Sequence, residues 1–579
     1  MLDVYAYAMC EAIECYYNGE SIGSYHIASY LEWAKKQNNV NLVTLVERFS
    51  KYCQSAREYK IMIQTTINYV DESGKSLLNS KNVLTMAGES KRILSPAVSG
   101  YYTRDLFVTL DSDSEKTINV VYRKIPTSLD TDKIKNELLP NIAAWGDSIT
   151  IGIGKDDLTA ANTYGINLTA LGAASTGSNY TDVLKNLITT YVYSGLSNIE
   201  NFGVGGETTA SIAARADTKT YYLYLDGEVT IATEPVKIPL THYASTGRVG
   251  ILRQGGEYIV NNVIIEGKDK NGNDINVKGS IAKATLSADA PSGSSTHTCD
   301  AKYLEYTFKR TDGGTNTLNF APGARVRTRC SYEFDGRTCI IFMGENGGYS
   351  DTAELIKQQE EILAACGNPE FYLIISTTSG TTESRTEIRN ALSARWGERY
   401  INMGDELNSR RAYELAGYSD SVIKSVQSNI AQGSVSTLLV KDKCHPNAVG
   451  YAVIGNVIFE RLFDIGAFDA LYDYYDSVEN FSFNGYTATV IRPKNPNGKW
   501  IWKTEFFYAF DQAEEALADD GYTRVYYQIS NKYGSPEAVS LMESFYHEVT
   551  ERYALDDKCI LFGFSRGGLY AFNFALAHP

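Results

Sequence analysis

Two separated stretches of this 579-residue chain, 140–215 and 338–465, alternate apolar runs typical of strands with helical segments. In the second stretch, CIIFMG and EFYLIIS alternate with DTAELIKQQEEILAAC and AVGYAVIGNVIFERLF. Strands that alternate with helices predict a parallel sheet that is covered by helices on both faces. Residues 218–337 carry short alternating strands and turns instead. We therefore predict one α/β domain, formed by 138–217 and 338–467, with an inserted all-β module.

The flanking sequence predicts three further parts, since a single hydrophobic core stops growing near roughly 250–300 residues. Residues 1–58 carry apolar residues at steps of three and four, which indicates a helical segment. Residues 59–126 contain short β runs and the turn DESGK. This layout resembles the small β-grasp-like repeats of mucin-binding surface proteins, and a structural spacer is the alternative. Residues 475–579 show a second α/β pattern.

The composition is typical of a folded, soluble chain, with 43% hydrophobic and 21% charged residues. The net charge of -15 repels phosphate backbones and anionic membrane surfaces, so we expect neither nucleic acid nor a membrane as a partner. Tyrosine is abundant, with 42 residues, and its ring packs well against sugars and proteins. A general compositional bias towards tyrosine explains this abundance equally well.

The nine cysteines form no CxxC pair and have no histidine-rich neighbourhood, so we predict neither a disulfide framework nor a zinc site. The start of the chain, Met1-Leu2-Asp3, lacks a basic segment followed by an apolar one. No run of about 18 apolar residues occurs, so no membrane span is predicted. We expect synthesis in the cytoplasm without an ordinary signal peptide. A virion-associated or cell-surface location stays open, as does the oligomeric state.

Four short blocks place chemically active residues at strand ends or in a loop before a helix. They are NIAAWGDS with Ser148, NFGVGGETT with Gly206, CIIFMGEN with Asn346, and KDKCH with Asp442 and His445. The carboxyl ends of parallel strands meet at one sheet edge, where α/β folds place their sites. A serine, a histidine and an aspartate supply the nucleophile, base and orienting acid of acyl transfer. Backbone N–H groups at a glycine and a side-chain amide supply oxyanion donors.

These blocks, in this order, resemble the GDS, glycine, GxN and DxxH blocks of the SGNH or GDSL-like hydrolase family. The resemblance implies a flavodoxin-like three-layer fold over the α/β domain, without a metal or cofactor. It also implies that Ser148 is the nucleophile of a triad with His445 and Asp442. The backbone N–H groups of Ser148 and Gly206 and the amide of Asn346 then form the oxyanion hole.

Two features depart from the family pattern. Gly347 stands where an aspartate often follows the asparagine, which is expected to alter local support rather than chemistry. The blocks at Gly206 and Asn346 are separated by 346 − 206 = 140 residues, far more than a βαβ crossover needs, and the β module accounts for the excess. Taken singly, each block also fits ordinary turn or N-cap chemistry. Asp147 is not expected to be the triad acid, because a neighbour of Ser148 cannot readily orient the histidine.

A second serine lies in GFSRG, residues 563–567, which fits the G-x-S-x-G nucleophile elbow between a strand and a helix. With the strand-like runs upstream, residues 485–579 resemble the first half of an α/β-hydrolase. The resemblance implies that Ser565 is a candidate nucleophile. Its oxyanion donors would come from the Arg566 N–H and from backbone near Trp502 or Lys503.

This second site lacks partners in the sequence. In the α/β-hydrolase fold the acid and the histidine follow the nucleophile, but only 579 − 565 = 14 residues follow Ser565. His578 falls at the far end of the helix that the serine begins, so it is expected to point away from the elbow. We therefore expect an incomplete second α/β-hydrolase domain without a triad, and we interpret the chain as truncated.

The favoured hypothesis is a serine esterase that removes ester groups, with O-acetyl groups on carbohydrate as the expected substrate. A lipase or thioesterase that acts on other small esters is an alternative. A hypothesis from another class is a structural or adhesive glycan-binding component of a viral tail or cell surface, in which esterase activity is secondary.

Overall fold

The structure is a computed structural model that describes residues 35–36 and 62–579, except 87–89, 112–115, 196–197, 243–259, 283, 297–298, 300, 333–336 and 380–381. The chain divides into two compact units, Met1–Lys124 and Ile125–Pro579. The helical prediction for residues 1–58 lies outside the described residues, apart from 35 and 36.

The first unit is built from antiparallel and parallel β pairs. Its strands are β1 (Met62–Asp71), β2 (Ser76–Met86), β3 (Ser90–Leu94), β4 (Tyr101–Tyr102), β5 (Phe107–Asp111) and β6 (Lys116–Lys124). Four strands form a sheet in the order β2-β1-β6-β4, in which β1 and β6 are parallel, while β3 pairs with β5. Val108 and Leu110 alternate with exposed Thr109 and Asp111, as a half-buried strand requires.

The second unit begins with strands and helices that alternate. Its first elements are α1 (Thr131–Lys133), which continues into a π-helical turn (Ile134–Leu138), β7 (Ile142–Gly146), α2 (Ser148–Ile151), α3 (Thr159–Tyr164), α4 (Tyr180–Tyr191), β8 (Ile199–Gly203) and α5 (Thr209–Arg215). Every residue of β7 is buried, as expected for a strand of a sheet covered on both faces.

A β module follows α5. Its strands are β9 (Leu223–Leu225), β10 (Val229–Ile231), β11 (Val236–Ile238), β12 (Leu240–His242), β13 (Val260–Lys268), β14 (Asp274–Ile281), β15 (Thr285–Leu286), β16 (Leu304–Arg310), β17 (Leu318–Phe320) and β18 (Arg325–Arg327). The main sheet has the order β11-β16-β14-β13-β18-β9-β12, with β15 beside β16, and all of its pairs are antiparallel. A separate pair joins β10 to β17.

The chain then returns to the parallel sheet. These elements are β19 (Thr338–Phe342), α6 (Thr352–Ala365), β20 (Tyr372–Ile375), α7 (Thr382–Trp396), β21 (Tyr400–Ile401), α8 (Met403–Leu407), α9 (Arg410–Ala416), α10 (Asp420–Ser425), α11 (Gln427–Ala431), α12 (Ala448–Asp464) and α13 (Asp469–Ser477). The sheet has the order β21-β20-β19-β7-β8, and each neighbouring pair is parallel.

Helices cover both faces of this sheet. Trp145 and Ile341 belong to a buried cluster that includes apolar residues of α5, α6 and α7. On the opposite face, Phe342 contacts the ring of Tyr180 in α4, which packs against α12. The prediction of a mixed α/β chain is confirmed.

Three strands of the parallel sheet end at the same level, because Gly146 is in register with both Phe342 and Gly203. The loops that follow β7, β8 and β19 therefore leave the sheet from one edge. This register brings three of the four sequence blocks together.

The last part of the second unit is a mixed five-stranded sheet with helices. Its elements are β22 (Val478–Phe483), β23 (Tyr486–Ile491), β24 (Trp500–Lys503), α14 (Gln512–Asp519), β25 (Thr523–Tyr527), α15 (Pro536–Tyr553), β26 (Ile560–Phe562) and α16 (Gly567–Ala577). The strand order is β22-β23-β25-β24-β26, antiparallel at the β22 end and parallel from β25 to β26. Throughout the described part of the chain, no helix has the length and apolar character needed to cross a membrane.

Candidate active site

Ser148 begins α2 directly beyond the end of β7, and its two predecessors explain this placement. A Cβ atom on Gly146 would lie 2.0 Å from Thr150 Oγ1 and 2.5 Å from the Phe342 carbonyl oxygen, so only glycine fits there. Asp147 caps α2, because its carboxylate accepts the Ile149 N–H at 3.0 Å. The strand thus stops sharply, and the serine lies at the edge of the sheet.

His445 joins Ser148 to Asp442 through both nitrogens of its ring. Its Nε2 lies 2.9 Å from Ser148 Oγ, and its Nδ1 lies 3.0 Å from Asp442 Oδ2. The loop that carries both residues is closed by a hydrogen bond from the Lys441 N–H to the His445 carbonyl oxygen, at 2.9 Å. This arrangement lets the imidazole accept the serine proton at Nε2 while the carboxylate fixes Nδ1 as the protonated nitrogen.

The Asp442 carboxylate is held in its charged form. Partial burial opposes ionisation, but the N–H groups of His445 and Cys444 and the imidazole of His445 outweigh it and lower the Asp442 pKa to about 2. The two N–H groups donate to Asp442 Oδ1 at 2.9 and 3.0 Å. Asp442 is therefore ionised near neutral pH and can stabilise an imidazolium.

Asn346 and Gly206 lie at the same sheet edge. The Asn346 amide donates to the carbonyl oxygen of Glu207, the residue after Gly206, at 3.0 Å, and to Asp147 Oδ2 at 3.3 Å. Gly206 has a φ of 75°, in the left-handed region that favours glycine. The amide is thus held between the Gly206 loop and the residue that precedes Ser148.

Gly347, which departs from the SGNH pattern, supports this loop through its backbone. Its φ is 67°, and its carbonyl oxygen accepts the N–H of Thr209, the first residue of α5, at 2.9 Å. A Cβ atom on the next residue, Gly348, would lie 2.6 Å from Thr208 Cβ. The loop after β19 therefore packs directly on the start of α5.

A buried ion pair lies behind the site, and no sequence pattern predicted it. Arg215 Nε lies 2.6 Å from Glu207 Oε2, with 4% and 0% of the two side chains exposed. Arg215 Nη2 also donates to the carbonyl oxygens of Phe202, at 2.8 Å, and Gly146, at 3.4 Å. Arg215 therefore ties the ends of β7 and β8 to the Gly206 loop. The available signal was a lone arginine in the apolar helix TASIAAR, eight residues after a glutamate.

Asp147 is not positioned as the triad acid, since its carboxylate contacts Ile149 and Asn346. Burial raises its pKa to about 7, the Ile149 N–H opposes the rise, and the carboxylates of Glu345 and Glu207 add to it. Burial also raises the pKa of Glu345, which accepts a hydrogen bond from the Ser379 hydroxyl. Several carboxyl groups thus lie beneath the site.

Cys444 lies between the two triad residues of its loop. Its Sγ is 3.5 Å from His445 Nδ1 and 3.7 Å from Asp442 Oδ1. Burial, followed by the charges of nearby carboxylates, raises the pKa of this thiol to about 12, so it is protonated near neutral pH. Among the described residues, Asp442, Cys444 and His445 form the one group with three metal-ligating atoms within 4.8 Å of one another.

The second serine has the backbone expected for an elbow. Ser565 is exposed and has a φ of 52°, which is strained for a residue with a side chain. The neighbouring backbone belongs to the loop after β24, because the Thr504 hydroxyl donates to the Gly567 carbonyl oxygen at 2.7 Å. Trp502 and Lys503 directly precede that loop, as the last two residues of β24.

Within the residues that the structure describes, no triad forms at this serine. Arg566 pairs with Glu505 at 3.2 Å, and His578 packs its ring against Phe574 at 4.8 Å between centroids. Among the described side chains, no hydrogen bond joins Ser565 to a histidine.

Five predicted residues thus converge at one edge of the parallel sheet, namely Ser148, Gly206, Asn346, Asp442 and His445. Ser565 stands apart, in the C-terminal sheet. No protein-family model matches this chain, and no curated protein matches it.

Proposed function

We propose that this chain is a serine esterase of the SGNH type, with residues 138–217 and 338–467 as its flavodoxin-like three-layer domain. The observation that carries the proposal is the chain of contacts from Ser148 Oγ to His445 Nε2, at 2.9 Å, and from His445 Nδ1 to Asp442 Oδ2, at 3.0 Å. Ser148 and His445 are 297 positions apart in sequence, and their contact has the geometry that acyl transfer requires.

The reaction begins when His445 Nε2 takes the Ser148 proton as Oγ attacks the ester carbonyl carbon. The negative charge that develops on the carbonyl oxygen is stabilised by the N–H groups of Ser148 and Gly206 and by the Asn346 amide. The imidazolium, held by Asp442, then protonates the departing alcohol. Water attacks the acyl-enzyme by the same steps and releases the acid.

The proposed substrate is an O-acetylated carbohydrate. The β module supports this choice, because it is anchored to the helix behind the site: the Thr328 hydroxyl donates to the Arg215 carbonyl oxygen at 2.7 Å. In the same module Tyr222 and Tyr224 form a ring pair at 5.9 Å, with Arg325 over the Tyr222 ring, and tyrosine rings suit contacts with sugars.

The test compares Ser148→Ala with Ser565→Ala, using p-nitrophenyl acetate and acetate release from a panel of acetylated polysaccharides. We expect Ser148→Ala to lose about 10⁴-fold or more in kcat, and Ser565→Ala to keep full activity. Hydrolysis that persists unchanged in Ser148→Ala contradicts the proposal. Activity on small esters alone favours a lipase or thioesterase, and glycan binding without hydrolysis favours the adhesive function.

A further inference from the structure

The loop of the triad histidine contains a thiol that the esterase mechanism does not use. Cys444 Sγ lies 3.5 Å from His445 Nδ1 and 3.7 Å from Asp442 Oδ1, and the same Oδ1 lies 3.1 Å from His445 Nδ1. A thiol, an imidazole nitrogen and a carboxylate oxygen therefore form a small triangle. Its three corners are the ligand types that zinc prefers.

The size of the triangle fits a tetrahedral ion. Zinc bonds of roughly 2.3 Å to sulfur and 2.0–2.2 Å to nitrogen and oxygen give edges of about 3.6 Å to sulfur and about 3.4 Å between nitrogen and oxygen. The observed edges of 3.5, 3.7 and 3.1 Å lie within about 0.3 Å of these values. Cys444 Sγ also lies 4.0 Å from His445 Nε2, over the face of the ring, so an ion in the ring plane at Nδ1 reaches all three atoms after the Cys444 side chain rotates and the Asp442 carboxylate moves back from Nδ1.

The loop is also fixed in place by hydrogen bonds. The Thr378 hydroxyl donates to the Cys444 carbonyl oxygen at 2.5 Å, and two backbone N–H groups hold Asp442 Oδ1. Among these ligands Asp442 is ionised near neutral pH, and its Oδ1 lies 3.7 Å from the Cys444 thiol. A carboxylate, a thiol and an imidazole in one loop suit a divalent cation and not an anion.

We propose that Asp442, Cys444 and His445 form an inhibitory site for a thiophilic divalent cation such as Zn²⁺. The ion binds Cys444 Sγ, whose proton goes to solvent, and it binds His445 Nδ1, whose proton moves to Nε2. A histidine with its proton on Nε2 cannot accept the proton of Ser148, so the ion switches off the base reversibly. The inhibitory effect rests on the proposed esterase function, whereas the binding does not.

The first experiment titrates Zn²⁺ into the EDTA-treated, dialysed 579-residue chain and follows p-nitrophenyl acetate hydrolysis. We expect wild-type activity to fall and to return on adding EDTA, while Mg²⁺ has no effect because it avoids sulfur ligands. Cys444→Ala keeps basal activity, and its half-inhibiting Zn²⁺ concentration rises about tenfold or more with the loss of the thiolate. Equal Zn²⁺ sensitivity in Cys444→Ala overturns the proposal.

The second experiment measures metal binding by absorption and does not depend on enzyme activity. Co²⁺ bound to a thiolate shows sulfur-to-cobalt charge-transfer absorption in the near-ultraviolet. We expect this band in the wild type, in Ser148→Ala and in Cys559→Ala, whose partly buried thiol lies outside the site. The band disappears in Cys444→Ala. A band that survives in Cys444→Ala overturns the site, and a band without inhibition overturns its inhibitory effect, whether or not the esterase proposal holds.

Discussion

Ser148 and Ser565 both follow a strand and begin a helix, yet their surroundings differ. Ser148 is 7% exposed, and its Oγ lies 2.9 Å from a histidine nitrogen. Ser565 is exposed, and its backbone has a φ of 52°. At the sheet edge that carries Ser148, the loops that follow β8 and β19 come together with the loop that precedes α12. The difference shows that a turn that presents a serine is not a site until distant loops converge on it.

An arginine–glutamate pair lies behind each serine, and the two pairs differ in burial. Arg215 and Glu207 expose 4% and 0% of their side chains, and Arg215 also binds two strand carbonyls. Arg566 is 33% exposed, and its partner Glu505 also accepts a hydrogen bond from Ser530 at 3.1 Å. Both carboxylates are therefore buried, and the pairs differ in the arginine, because solvent reaches Arg566 but not Arg215, while Glu505 is 3% exposed.

The helices near the two serines are covered to different extents. In α12, which follows His445, 13 of 17 residues are buried. In α16, which follows Ser565, the apolar side chains of Leu569, Phe572 and Leu576 are 50%, 72% and 71% exposed. The site around Ser148 therefore lies within a packed core, whereas the elbow at Ser565 borders an apolar surface.

The largest expected effect separates the two histidines. His445→Ala removes the base that contacts Ser148, so we expect kcat/KM for p-nitrophenyl acetate to fall by about 10⁴-fold or more. His578→Ala removes a ring that packs on Phe574 near the C-terminal helix end, so activity stays unchanged. Steady-state kinetics on both variants measure the contrast. Comparable losses in the two variants would mean that the second region takes part in the chemistry.

The next effect concerns the arginine–glutamate pairs. Arg215→Met leaves the Glu207 charge buried without its partner, which we expect to cost about 3–5 kcal/mol in the free energy of unfolding. Arg566→Met also leaves a buried carboxylate, since Glu505 is 3% exposed, but it costs less because the Ser530 hydroxyl still donates to Glu505 and Arg566 itself is 33% exposed. Urea midpoints of both variants, followed by intrinsic fluorescence, give the comparison.

A double variant separates charge from packing in the same pair. Arg215→Met with Glu207→Gln removes the unpaired charge as well, so part of the lost stability returns. Equal midpoints for the single and double variants would show that lost packing, and not the buried charge, dominates.

The sequence was sufficient to predict which residues come together at the first site, but not the contacts that hold them there. Each of Ser148, Gly206, Asn346 and His445 lies in a short block whose position relative to a strand or helix is visible locally. The burial of Asp147 and the pairing of Arg215 arise only after strands from distant parts of the chain align, so no local pattern contains them. The hydrogen bond from the Thr209 N–H to the Gly347 carbonyl oxygen is likewise a tertiary contact. Because the backbone makes it, no side chain in the sequence indicates it.

A smaller effect is expected at the oxyanion donor. Asn346→Ala removes a side-chain amide from the edge where the negative charge develops, so kcat falls by about 10²- to 10³-fold with little change in KM. Asn531→Ala is the matched control, since that amide oxygen accepts a hydrogen bond from Arg566 at 3.2 Å in the region of the second serine. A loss confined to KM in Asn346→Ala would indicate that the amide binds substrate without stabilising the transition state.

The smallest effect compares the residues that precede the two serines, Asp147 and Phe564, because only the first can titrate. The Asp147 pKa rises from its usual value of 3.8 to about 7, chiefly through burial. Between these values the folded state keeps a proton that the unfolded state has released. Stability therefore falls as the pH rises from 4 to 7, by at most about 1.4 kcal/mol per pH unit, and levels off above 7.

Asp147→Asn removes this titration while keeping a side-chain oxygen for the Ile149 N–H, so its stability relative to the wild type rises with pH across the same window. Urea unfolding at several pH values between 4 and 8 measures the difference. Asp312→Asn is the control, because the hydrogen bonds from Arg310 lower the pKa of that carboxyl and keep its titration below the window, so its removal leaves the slope unchanged. Parallel pH curves for the wild type and Asp147→Asn would mean that Asp147 stays charged in the folded protein, balanced by the Ile149 N–H and the Asn346 amide.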